Sequence, residues 1–199
     1  NTVVYTSKEF QPLADTFSDK YSFVGPSVPD VTAEPRKSGK KLIYISLGTV
    51  NNKNNEFYRN CLEAFGDGEF DVIMSVGEGT DISLLGEIPG DFEVKNRVEQ
   101  IKVLQNADAF ITHSGMNSVN ESLYCGVPMV LFPQQQEQRM VAERTVSLGA
   151  GVYLKRNSSK SIRKAVQLIL EDGTYKDNAV KLSESFKRAG GAKKAAEAI

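Results

Sequence analysis

The sequence predicts an α/β fold built on a doubly wound, mainly parallel, Rossmann-like sheet. Three observations carry that expectation. Short apolar runs alternate with longer amphipathic stretches, the pattern of βαβ units. At least five of these runs, from about residue 41 onward, have strand length and are separated by helical stretches. The chain has 199 residues, 40% hydrophobic and 25% charged, which suits one large globular domain with its own core.

The elements follow in order. Val3-Val4-Tyr5-Thr6 and Tyr21-Ser22-Phe23-Val24 are short extended pieces, and Gly25-Pro26-Ser27-Val28-Pro29 breaks any regular element. Residues 30–40 are polar, with Pro and Gly, and form a linker or exposed loop. A buried strand over 41–47 ends at Gly48-Thr49, a polar loop covers 51–55, and helical spacing runs over 56–65. Strands follow at 70–76 and 92–95, then a small helix around 101–105 and a strand over 107–112 that runs into His113-Ser114-Gly115. A helix over 116–124 is stopped by Cys125-Gly126 and Pro128, a usual C-terminal signature. Strand 129–132, helix 137–148 and strand 151–154 complete the sheet. Amphipathic helices over 160–170 and 175–188 and a helix-prone tail from Ala192 end the chain.

Charge and residue counts narrow the function. Lys and Arg number 24 against 25 Asp and Glu, a net charge of −1. That excludes a broad electrostatic footprint for nucleic acid or anionic membrane, though not local basic pockets. Cys61 and Cys125 cannot build a disulfide framework. Both fall in apparent helices and read as buried free thiols, which fits a cytoplasmic location. No apolar run reaches the roughly 18 residues of a transmembrane helix, and Asn1 does not open a signal peptide. With His113 the sole histidine, any triad or His-rich metal site would have to form around it. The missing initiator Met points to a processed chain or a fragment.

Doubly wound sheets bind ligands beyond the carboxyl ends of their strands. Two strand-to-helix turns there carry glycine and hydroxyl residues: Ser46-Leu47-Gly48-Thr49 and Thr112-His113-Ser114-Gly115-Met116-Asn117-Ser118. In the second, the following helix offers its N-terminal N–H groups and positive dipole end to an anion. A phosphate there could also meet His113, Asn117 and Ser118, while helix capping by Ser114 or Asn117 is the plain alternative. Neither turn is a G-x-G-x-x-G fingerprint or a Walker loop. Glu121, four residues after Asn117, lies on the same helix face one turn on. It suits a pair of vicinal hydroxyls such as those of ribose, or it is a solvated helix Glu. Glu137 and Gln138 follow a strand and a run of three Gln; a carboxylate beside an amide can hold sugar hydroxyls in fixed directions, or simply open a polar helix.

The joint spacing favours the ligand readings. The 42 residues from Arg97 to Gln138 (RVEQIKVLQNADAFITHSGMNSVNESLYCGVPMVLFPQQQEQ) closely resemble the donor-binding signature of nucleotide-sugar-dependent glycosyltransferases of the two-Rossmann-domain (GT-B) type. The resemblance is greatest to the bacterial macrolide-glycosyltransferase branch, whose members glycosylate small lipophilic acceptors. Thr112-His113-x-Gly115-x-Asn117-Ser118 with Glu121, then Gly126-Val127-Pro128-Met129, Pro133 and Gln138 stand at the family's spacing. The Leu47-Gly48-Thr49 loop and the opening Phe10-Gln11-Pro12…Phe23-Val24-Gly25-Pro26, similar to the family's inter-domain linker, extend the resemblance more weakly over the chain.

The resemblance implies a role for each position. His113, Gly115, Asn117 and Ser118, with Gly48 and Thr49 from the first turn, would hold the diphosphate. Arg97, Val98, Gln100 and Glu121 would hold the nucleoside, with Glu121 on the ribose hydroxyls. Glu137 and Gln138 would hold the hexose. It implies a UDP-sugar donor, UDP-glucose by family habit at Gln138, and no metal or other cofactor. Residues 1–40 would be linker and N-terminal extension, and 41–199 the donor-binding domain. The family has Trp where Arg97 stands, Pro at Glu99, and more often Asp at Glu137; Arg can still stack on a base through its planar guanidinium.

The family's general base is a His in the N-terminal domain, oriented by an Asp, and that domain also holds a lipophilic or phenolic acceptor. Neither lies in this sequence. The chain therefore reads as the C-terminal, donor-binding half of an inverting hexosyltransferase, with no catalytic residue of its own and inactive alone. Two other classes stay open: a non-catalytic nucleotide-sugar-binding subunit of a split transferase, and a nucleotide-sugar epimerase.

Overall fold

A computed structural model describes residues 1–29, 31–49 and 53–198. Strand β1 (Thr2–Val4) and strand β2 (Tyr21–Phe23) pair in parallel as a small separate sheet. Then come β3 (Leu42–Ser46), α1 (Asn55–Phe65), β4 (Asp71–Ser75), β5 (Phe92–Lys95), α2 (Gln100–Leu104), β6 (Ala109–Thr112) and α3 (Met116–Tyr124). The chain closes with β7 (Met129–Leu131), α4 (Gln136–Ser147), β8 (Gly151–Tyr153), α5 (Ser159–Glu171), α6 (Gly173–Arg188) and α7 (Gly191–Ala198).

The main sheet has six strands in the order β5-β4-β3-β6-β7-β8, every pair parallel. This is the Rossmann order, and its topological switch point lies between β3 and β6. The register sets Ser46 level with Ser75 on one side and Thr112 on the other. The turns after β3 and β6 therefore emerge side by side.

Both faces of the sheet are covered, which is why β3 reads as an apolar run, Leu42 to Ile45, closed by Ser46: all five of its residues are buried. Alternation divides them. Ile43 and Ile45 pack with Phe57, Cys61, Phe65, Val166 and Ile169 under α1 and α5. Leu42 and Tyr44 pack with Phe110, Val119, Leu123 and Phe186 on the face covered by α3 and α6. Local chemistry sets the helix ends. The Asn54 side chain accepts from the Phe57 N–H at the start of α1, and Ser158 accepts from the Ser161 N–H at the start of α5. After α3, Gly126 turns the chain at φ 66, a left-handed conformation that glycine enters without steric penalty.

The stretch expected as linker is stitched to this domain. Phe10 is 2% exposed and meets the Phe186 ring edge-on at 6.0 Å. Buried Asn120 on α3 donates to the Tyr5 carbonyl at 2.8 Å and accepts from the Thr6 hydroxyl at 3.2 Å. Further on, Gln105 donates to the Val31 carbonyl at 2.7 Å and accepts from the Ala33 N–H at 2.6 Å. A cavity of about 750 Å³ opens beside this strap at the amino ends of β3, β4 and β5, lined by Glu34, Arg36, Asp71, Asp91 and Asn106 among others.

Element by element the sequence reading holds, with the strands at 41–47, 70–76 and 107–112 each shorter than expected by two residues. Two 3-10 turns, Ala14–Thr16 and Ile82–Leu85, were not expected. Cys125 is not a helix-interior buried thiol: it is the C-terminal cap of α3 and only half-buried. Of the calls on loops, Asp30 and, within the 51–55 loop, Asn51 and Asn52 lie outside the described residues.

Candidate functional site

Helix α3 begins where β6 ends, at the switch point. Its N-cap residue is Gly115, in extended conformation, and no side chain caps the helix. The capping alternative for Ser114 and Asn117 is thereby removed. The first intrahelical bond runs from the Val119 N–H to the Gly115 carbonyl, so the N–H groups of Met116, Asn117 and Ser118 have no helical partner. These donors and the positive helix end face outward from the sheet, ready for an anion. Ser114, just before them, takes φ 68, unusual for a residue with a Cβ and a frequent mark of functional turns. Its buried hydroxyl has no hydrogen-bond partner.

His113 is wedged between the two turns. A Cβ on Gly115 would lie 2.5 Å from its Nε2, and a Cβ on Gly48 would lie 2.6 Å from its Cε1. Only bare backbone on both sides leaves room for the ring. Nδ1 is buried and no partner meets it with hydrogen-bond geometry, although the Ser46 backbone is near enough to favour the charged form. Burial is the stronger influence and pulls the imidazole below its ordinary value, against the Glu137 carboxylate and Ser46. At neutral pH the ring is uncharged, with one N–H to donate.

One turn into α3, Glu121 is half-buried and accepts from the Gln100 amide at 2.6 Å. The Gln100 amide also lies 3.4 Å from the Ser118 hydroxyl. Burial raises the Glu121 pKa, and the Gln100 hydrogen bond lowers it in part. Gln100 opens α2, on the far side of the switch point, and its carbonyl oxygen accepts from the Tyr44 hydroxyl at 3.0 Å. Sequence reasoning missed Tyr44; a lone phenol in an aliphatic strand beside the glycine turn was the available signal.

The structure brings Gly48, His113, Gly115, Asn117, Ser118, Gln100 and Glu121 to one edge of the sheet. Thr49 and Asn117 are exposed there. Arg97 follows β5, is exposed, and has no ion-pair or hydrogen-bond partner among the described residues. Val98 packs against the core beneath it, so its side chain is occupied and only its backbone is left for a ligand. Glu137 is exposed at the start of α4 and close enough to influence His113. Gln138 is buried, and its carbonyl oxygen accepts from the N–H groups of Gln134 and Gln135 at 2.8 and 3.2 Å. Its acceptor thus closes the start of α4, leaving its NH2 for a ligand. Gln134, also missed from sequence, has a buried amide nitrogen with no partner. Among the described residues no His, Cys, Asp and Glu cluster to hold a metal ion, and no helix is long and apolar enough to cross a membrane.

The strand order and the open helix end at its switch point are those of a Rossmann-like ligand-binding domain, and the known proteins it resembles make it the C-terminal domain of a GT-B glycosyltransferase. The family described as Erythromycin biosynthesis protein CIII-like, C-terminal domain, matches residues 59–191, and the chain belongs to it. It is 40% identical over 203 residues to the NDP-glycosyltransferase YjiC of Bacillus subtilis (strain 168), covering 99% of this chain and 52% of that protein. It is 36% identical over 205 residues to the Uncharacterized UDP-glucosyltransferase YojK of the same organism, covering 100% and 51%. Among solved structures, the calicheamicin glycosyltransferase CalG4 superposes with a TM-score of 0.91 at 32% identity, over 98% of this chain and 51% of that one. The chain spans about half the length of the curated relatives it matches.

Proposed function

We propose that this chain is the donor-binding half of an inverting UDP-sugar-dependent glycosyltransferase that transfers a hexose, glucose by preference, to a small lipophilic or phenolic alcohol. The observation that carries the reading is the uncapped N-terminus of α3 beside His113, itself held between Gly48 and Gly115. The diphosphate sits on the N–H groups of residues 116–118 and takes a hydrogen bond from His113. Glu121 accepts from the ribose hydroxyls, Arg97 stacks on the base, and Glu137 with the Gln138 NH2 holds the hexose. Two unpaired thiols, Cys61 and Cys125, suit a reducing, cytoplasmic setting.

In the reaction the acceptor oxygen bonds to the anomeric carbon from the face opposite the diphosphate. The bond to the leaving oxygen breaks, its electron pair departs with UDP, and the configuration inverts. The acceptor proton passes to a base. That base must stand within about 3 Å of the acceptor hydroxyl, directly or through one water. In this reading His113, wedged between Gly48 and Gly115, serves the diphosphate and is not that base, which would belong to an N-terminal half. His113 and the helix end stabilise the charge that grows on the departing diphosphate.

The chain is expected to bind UDP-glucose and form no glycoside. Incubation with UDP-glucose and a panel of phenolic and macrolide alcohols, read by mass, checks this; slow hydrolysis to UDP is compatible with it. Clear glycoside formation, abolished by Glu137→Gln, would make this chain a complete enzyme and overturn the reading.

A further inference from the structure

Resting on the donor-binding reading, we propose that Tyr44 is a positioning residue for the donor's ribose: its hydroxyl fixes the Gln100 carboxamide, and Gln100 in turn fixes Glu121. The three residues come from β3, the start of α2 and the inner turn of α3, and form one chain of hydrogen bonds. Tyr44 is 1% exposed, and its ring stacks on Phe110 at 4.6 Å with an interplanar angle of 13°. The phenol has no freedom to swing away.

The direction of the chain follows from donor and acceptor chemistry. An ionised carboxylate only accepts, so the Gln100 NH2 must face Glu121. The amide carbonyl then faces Tyr44, whose hydroxyl must donate. Burial raises the Tyr44 pKa, so the phenol remains a donor over any working pH. With Oε2 of Glu121 satisfied by Gln100, no hydrogen bond from the described residues reaches Oε1. That leaves one oriented acceptor for a ribose hydroxyl, with the Ser118 hydroxyl close by.

Removing the Tyr44 hydroxyl would take away the hydrogen bond to the partly buried amide oxygen and release the carboxamide to rotate. Glu121 would then lose the hydrogen bond that offsets its burial. Among the described residues, the titratable groups shown to feel the Glu121 charge are Tyr44 and Cys125. Burial keeps both neutral, the thiol at about 11. A change in the Glu121 titration on Tyr44→Phe therefore reports the amide and not a lost charge.

The test is Tyr44→Phe in the 199-residue protein, with two readouts. The first follows the Glu121 carboxyl carbon by NMR against pH in the free protein; its midpoint should rise. The second compares UDP with 2′,3′-dideoxy-UDP by calorimetry. UDP affinity should fall by about 3–10-fold, the worth of one hydrogen bond, while the dideoxy analogue is unaffected. Gln100→Ala should reproduce the raised midpoint, and adding Tyr44→Phe to it should change nothing more. An unchanged Glu121 midpoint, or equal losses for both nucleotides, overturns the proposal. If the wild-type protein binds neither nucleotide the donor reading fails, and the Glu121 midpoint alone decides the relay.

Discussion

The imidazole of His113 rests on the bare backbone of Gly48: a Cβ there would stand 2.6 Å from Cε1 and 2.8 Å from Nε2. The parallel register of β3 and β6, with Ser46 level with Thr112, brings the two turns together. The glycine of one turn thus sets where the histidine of the other can point, and with it the donor group offered to an anion at α3.

Gly48→Ala should therefore act twice. Gly48 has φ +79, and an L side chain in that conformation costs about 1–2 kcal/mol, which thermal denaturation will read as lost stability. Displacing His113 should also weaken UDP roughly tenfold, a loss of about 1.4 kcal/mol. Gly39→Ala is the control, because a Cβ there meets nothing within 4 Å.

His113→Ala should weaken UDP binding by about 1–3 kcal/mol, the range for a buried polar group left without its partner. An unchanged affinity would remove His113 from the diphosphate.

The same residue sets a pH signature. Its folded pKa lies below 6.5, chiefly through burial. The unfolded chain thus binds the proton more readily, so the free protein should lose stability as pH falls from 6.5 through the folded pKa, and not above 6.5. A bound diphosphate favours the imidazolium and reverses the shift. Binding of UDP near pH 6 should take up a proton, detected as a buffer-dependent heat that His113→Ala abolishes.

Much of this was legible in the sequence because the signals were local. The Cys125-Gly126-Val127-Pro128 stop marked the end of α3 at Tyr124, and the turns bearing Gly48 and Gly115 marked the carboxyl edge of the sheet. The relay was not legible: Tyr44 and Gln100 are 56 residues apart, and Gln100 and Glu121 are 21 apart. Only the sheet order brings them together. Gln138 read as a ligand amide, but half of it serves as a cap for α4, because the N–H groups of Gln134 and Gln135 meet it as the chain leaves β7. The burial of Phe10 against Phe186, from opposite ends of the chain, is likewise a product of tertiary packing alone.

Gln138→Ala should accordingly destabilise the fold by about 1 kcal/mol, as a lost helix cap does, and weaken UDP-glucose more than UDP. Equal effects on the two ligands would confine Gln138 to its capping role.

Arg97, exposed and unpaired among the described residues, should tolerate exchange for a larger flat surface. Arg97→Trp is expected to keep or improve uridine nucleotide affinity by up to about 1 kcal/mol, as for aromatic stacking. A large loss, measured by calorimetry, would mean that Arg97 grips a phosphate.

The central claim is that a nucleoside diphosphate sits at the switch point, on the N-terminus of α3. Amide chemical-shift mapping during a UDP titration tests it most directly. The account predicts saturable shifts at Gly48 and Thr49, Arg97 to Gln100, and His113 to Glu121, with a dissociation constant in the sub-millimolar range, on the order of −4 to −6 kcal/mol. No shifts at millimolar UDP, or shifts confined to Glu34, Arg36 and Asn106 around the cavity at the opposite end of the sheet, would contradict it.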